Sequence, residues 1–160
     1  MKVMRHSLLA AALIMAATTL NADVIAPSDV ITNEYGDIAA SLTSQPGDPE
    51  RGVEVMTDRG LGNCIACHQI TALEEFPFHG EVGPSLDGAG DRWDVAALRG
   101  IIVDAKNAFP GSMMPSFYRT DGFIRPGNGY TGRAAEGPVD PILTAQDVED
   151  IVAYLQLLTE

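Results

Sequence analysis

Cysteine is scarce in this chain: 160 residues hold only two. A disulfide-rich scaffold is therefore excluded, and stability has to come from a core or a bound group. Basic charge is scarce as well, with 10 Lys and Arg against 22 Asp and Glu. A formal charge of −12 makes nucleic acid and anionic membrane surfaces poor partners. It also repels small anions at long range. Repeats, low-complexity tracts and strand-like alternation are missing. No apolar run reaches the roughly 20 residues of a membrane span.

The most apolar stretch, Leu8 to Leu20, carries no charge and follows Lys2, Arg5 and His6. Asn21 and Ala22 then give a small-residue exit. This three-part pattern predicts a cleavable secretory signal peptide over residues 1–22, and so a periplasmic location. Cleavage would leave eight basic residues against 22 acidic ones, a charge of −14. Residues 23–47 show no strong period and are expected as an extended N-terminal arm. Residues 48–160 are expected as one domain.

Both cysteines stand in GNCIACHQI, residues 62–70, with His68 directly after the second. Four chemistries compete for that pattern. A disulfide over two intervening residues closes a tiny loop and gains little chain entropy. A redox Cys-x-x-Cys pair expects a preceding strand and a βαβ unit, whereas the flanks here read as helical. Zinc takes four ligands, and only His68 and His79 lie beyond the leader. Cys-x-x-Cys-His is the attachment signature of c-type haem. In that reading Cys64 and Cys67 bond the porphyrin and His68 binds the iron from below. One covalent haem c is therefore predicted.

Three helices are legible. Asp48 caps the first, Pro49 suits its first position, and Gly60 stops it. Gly52 inside it costs about 1 kcal/mol against Ala, which close approach by another helix would justify. Met56 on the same helix reads as core. A middle helix is expected from about Asp91 to Lys106, where Val95, Leu98, Ile102 and Ala105 recur at steps of three and four. In ILTAQDVEDIVAYLQLL, Thr144 and Asp147 form a capping-box pattern, and Val148, Ile151, Val152, Leu155 and Leu158 share one face. Residues 120–141 are rich in Gly and Pro and read as a long loop. The predicted class is all-α, a few helices around a cofactor.

The second iron ligand is sought in GSMMPSFYR. Pro115 biases Met114 towards an extended conformation, in a stiff loop able to present a thioether. Met113 is the adjacent alternative, and His79 or an open site are others. His79 itself reads as solvent-facing or near a partner. A ligating histidine donates its other ring N–H to a carbonyl, and the Gly83-Pro84 turn could supply one. Arg92, Trp93 and Arg99 are candidates for the haem propionates, with core packing the other reading of Trp93.

The order of these motifs resembles class I cytochrome c: a Gly-bearing first helix, CIACH, a Gly-Pro turn, a middle helix, a Met-Pro loop and a last helix ending DIVAYL. In that family the first and last helices cross closely, and Gly52, Met56 and Tyr154 look like the crossing residues. RGLGNCIACH, MMPSFYR and LTAQDVEDIVAYL together are similar to the SoxX family, over about residues 40–160. The resemblance implies Cys64 and Cys67 as haem attachments, and His68 and Met114 as axial ligands. It also implies a SoxA-type cytochrome partner, a SoxYZ-type sulfur carrier and a downstream soluble cytochrome. The complex would join thiosulfate oxidatively to a carrier cysteine, an S-thiosulfotransferase reaction. This chain would relay electrons and have no catalytic activity alone. A free periplasmic electron carrier is the alternative function. A haem enzyme or gas sensor with an open iron site is a third, which the Met-Pro loop opposes.

Overall fold

The computed structural model describes residues 23–128 and 131–160. The expected signal peptide, residues 1–22, lies outside the described residues. The described architecture is all-α: four helices, three short 3-10 turns and two isolated β-bridges, with no strand among the described residues.

Helix α1 spans Pro49–Thr57. The Asp48 carboxylate accepts from the N–H groups of Glu50 and Arg51, and Pro49 fills the first position. Both effects are local, which is why they can be read from neighbouring residues. The expected middle helix is in fact two. Helix α2 is a single turn, Ala89–Arg92, ended by Trp93 in an extended conformation. Asp94 then accepts from Ala97 N–H and starts α3, Val95–Ala108. An aspartate able to cap competes with helix continuation, and here the cap wins. Within α3, Asp104 leaves the helical region, with φ −155° and ψ 92°. Helix α4 spans Ala145–Leu155 and begins with the complete Thr144–Asp147 capping box.

Helices α1 and α4 make the principal helix contact, and α3 packs on α4. A Cβ on Gly52 would lie 2.3 Å from Asp150 O and 3.0 Å from Tyr154 Cβ, so only glycine permits this crossing. Met56, Val55, Val148, Ile151 and Val152 are buried there.

Residues 23–47 run largely without helix, yet Ile38 and Leu42 are buried in the same core. The segment is held by Ile38 N–H on Ala96 O at 3.0 Å and Leu42 N–H on Glu149 Oε1 at 2.8 Å. Tyr118 Oη–H donates to Ile25 O at 2.7 Å. The described part of 120–141 is a surface excursion, pinned by a bridge between Gly127 and Ala134. An open cleft along it is lined by its own residues, among them Asn128, Thr131 and Arg133. No helix among the described residues is long and apolar enough to cross a membrane.

Candidate haem site

Asn63, with φ 45°, turns the chain out of the preceding loop into a 3-10 turn, Cys64–Ala66. Asparagine tolerates this left-handed conformation better than most residues. The N–H groups of Cys67 and His68 both donate to Cys64 O, at 3.1 and 3.0 Å. The turn brings two free thiols and the imidazole into one short segment. Burial pushes the Cys64 thiol up to about 12. A redox Cys-x-x-Cys pair needs the opposite shift, towards thiolate, so this environment does not suit thiol–disulfide exchange.

His68 is fixed by the loop that follows. Its Nδ1–H donates to Pro84 O at 2.7 Å, which sets the tautomer and leaves the Nε2 lone pair free for a metal. The ring lies against Gly83: a Cβ there would stand 2.3 Å from Cε1 and 2.6 Å from Nδ1. Gly83 N–H donates back to Cys67 O at 2.8 Å. The turn carrying Gly83 and Pro84 is tied at its far end. Leu86 N–H donates to Gln69 O, and Arg92 Nη2 donates to Ser85 O at 3.0 Å. The Asp87 carboxylate accepts from Thr71 N–H at 2.8 Å and Thr71 Oγ1–H at 2.7 Å. Those two bonds hold Asp87 below its ordinary carboxylate value.

On the methionine loop, Met113 is 82% exposed while Met114 is half-buried against the core. Met114 N–H donates to Ser112 Oγ at 3.2 Å, and Lys106 Nζ donates to Met114 O at 2.6 Å. Trp93 meets Phe109 edge to face, with ring centroids 5.8 Å apart.

Two sequence expectations are corrected. His79 is not solvent-facing: its Nδ1 accepts from Ile70 N–H and its Nε2–H donates to Leu73 O, both at 3.1 Å. It spans the loop after the Cys–His turn as an internal brace. Arg99 does not reach a propionate, because it is buried and paired with both oxygens of Glu149, at 2.7 and 2.9 Å, and with Ile38 O. Arg92, the other arginine offered for a propionate, is exposed and donates to the carbonyls of Ser85 and Asp87. Sequence reading missed Glu149, Asp104 and Ser116, whose partners are distant along the chain.

The donor set suits haem c. Two thiols sit one turn apart, the following imidazole has its outer nitrogen engaged and its inner one free, and Gly83 leaves room for that ring. Among the described residues, no three His, Cys, Asp or Glu side chains converge as a cluster able to hold a metal ion.

Residues 49–159 match the cytochrome c family. Cytochrome c-550 of Bacillus subtilis is 39% identical over 54 residues, which are 34% of this chain and 40% of that relative's length. The fold is also similar to the crystal structure of SoxXA from P. pantotrophus. The identity to that chain is 55% and the TM-score 0.80, over 84% of this chain and 98% of that one.

Proposed function

This chain belongs to the cytochrome c family and, within it, to the SoxX electron-transfer cytochromes, and from that premise we propose that it is the electron-relay subunit of a periplasmic thiosulfate-oxidising complex. Its cofactor is haem c, bound covalently, which supplies a one-electron iron couple. Cys64 and Cys67 provide the two thioether links. His68 would bind the haem iron through Nε2, with Pro84 O holding its ring through Nδ1. Met114 would supply a thioether to the same iron. Pro115 directly after it and the bond from Lys106 Nζ to its carbonyl, which stiffen the segment that presents it, support that choice. Trp93, edge to face with Phe109, would offer its indole N–H to a haem propionate.

The observation that carries the relay reading is the tethered imidazole directly behind two thiols. With Cys64 and Cys67 bonded to haem and His68 and Met114 committed to its iron, this chain would offer no free thiol as nucleophile to a substrate. Without residues 1–22 the formal charge, eight basic residues against 22 acidic ones, is −14, which disfavours a dianion. Conjugation therefore belongs on another chain, a SoxA-type cytochrome, with a SoxYZ-type carrier as acceptor. There an S–S bond forms between a carrier thiol and the outer sulfur of thiosulfate. The thiol proton is released, and two electrons leave one at a time through this chain to a soluble cytochrome. Residues 1–22 act as the export signal, cleaved after Ala22.

The test is reconstitution. The purified, haem-loaded chain is expected to cycle between redox states yet leave thiosulfate unconjugated. Adding a SoxA-type partner and the carrier should start turnover, and His68 or Met114 substitutions should slow it. Conjugation by the single chain would overturn the assignment. Failure to bind any partner would favour the free carrier.

A further inference from the structure

Helix α3 is interrupted at one residue, and the interruption faces the methionine loop. In a continuous helix Lys106 N–H would donate to Ile102 O, and Asn107 N–H to Val103 O. Asp104 instead adopts an extended conformation, and its own Oδ1 takes the Lys106 N–H at 3.2 Å. The carbonyls of Ile102 and Val103 accept from Phe117 and Tyr118 N–H, both at 3.3 Å. The same carboxylate receives Ser116 Oγ–H on Oδ1 at 2.7 Å and Arg119 Nη1 on Oδ2 at 2.9 Å. Residues 116–119 are thus seated on the break by four bonds, two residues beyond Met114.

We infer that Asp104 is a positioning residue for Met114: its buried carboxylate and the helix break it creates fix the loop that presents the thioether. The inference rests on the proposed role of Met114 as an iron ligand. Pro115 links seat to ligand and has a fixed φ, so little slack separates them. On the other side, Lys106 holds Met114 O, so both flanks of Met114 are anchored to α3 around the break. Core packing alone does not account for this arrangement. A buried charge with its partners is commonly no more stabilising than apolar side chains of the same volume. An unbroken apolar helix would serve the core equally well, but it would keep the carbonyls of Ile102 and Val103 to itself. The break gives them to the loop.

Asp104→Ala, Ser116→Ala, Met114→Ala and the unchanged chain are compared as haem-loaded proteins of verified fold. The readouts are the weak far-red iron–sulfur band, the reduction potential and the affinity of the ferric protein for added imidazole. Asp104→Ala should weaken the band, lower the potential and bind imidazole about tenfold tighter, the factor expected on losing charge-assisted hydrogen bonds that hold a competing ligand. Ser116→Ala, which removes one hydroxyl, should shift the same readouts in the same direction by less. It keeps the test decisive if Asp104→Ala does not mature. Readouts unchanged in both variants but lost in Met114→Ala would overturn the positioning role. A band retained in Met114→Ala would overturn the ligand assignment itself.

Discussion

Gly83 and Asp87 carry the loop that holds the imidazole, and each answers to one substitution. Adding a methyl at Gly83 puts it 2.3 Å from His68 Cε1, so either the ring or the Cys67–Gly83 backbone contact must yield. Gly83→Ala is expected to cost about 1–3 kcal/mol, the usual range for overpacking a tight site. It should also displace the imidazole from Pro84. A thermal melt reads the first effect and the haem spectrum the second. An unaltered spectrum would mean that the ring is held by the cofactor alone. Asp87 gives a pH signature. Its folded carboxyl is held below 3.8 by Thr71. Its contribution is therefore complete above 3.8 and fades as pH falls below that value through the folded one. Asp87→Asn should narrow the stability difference between about pH 6 and about pH 3, measured by denaturant titration. The thiol pair and imidazole were legible in the sequence because their chemistry lies within five consecutive residues. His79 was not: its two backbone partners, Ile70 and Leu73, are set by how the loop closes.

Among the elements, those with local determinants read well and those with tertiary determinants did not. Asp48, Pro49 and the Thr144–Asp147 box act within one turn, and α1 and α4 start where they dictate. The split between α2 and α3 follows from Asp94 as a cap, a local signal that the periodicity of Val95, Leu98 and Ile102 obscured. The break at Asp104 has one local bond, from Lys106 N–H, but Ser116 and Arg119 complete it from 12 and 15 residues away, and these no local pattern shows. Gly52 is the residue where local cost pointed correctly to a tertiary reason. Gly52→Ala gains helix propensity of about 1 kcal/mol, yet meets Asp150 O at 2.3 Å. A backbone oxygen cannot rotate aside, so α1 and α4 must separate. Net destabilisation of about 1–3 kcal/mol is expected, read as a lowered denaturation midpoint. A neutral or stabilised variant would show that the crossing has slack.

At the scale of the whole molecule, the stretch before α1 joins helices that would otherwise meet only each other. Arg99 on α3 and Glu149 on α4 form a buried bidentate pair. Two bonds from the N-terminal segment complete it: Ile38 O accepts from Arg99 Nη1, and Leu42 N–H donates to Glu149 Oε1. The ion pair thus closes three parts of the chain around one point, and Ile38 and Leu42 are buried beside it. A chain beginning at Asp48 would keep every proposed haem-binding residue and lose these bonds. Exposing what Ile38 and Leu42 cover forfeits about 1.5–3 kcal/mol for each. Each lost hydrogen bond to a charged group adds about 1.5–3 kcal/mol, offset in part by the ordering entropy no longer spent on the segment. The truncated, haem-loaded protein should therefore unfold at a clearly lower denaturant midpoint, with a slope reduced in proportion to the surface it no longer buries. Its far-red band should persist in the folded baseline, because the Met114 loop is seated on α3. An unchanged midpoint would make the segment an accessory arm. A lowered midpoint with the band intact would make it part of the folding unit, positioned to hold α3 against α4 rather than to hold the cofactor.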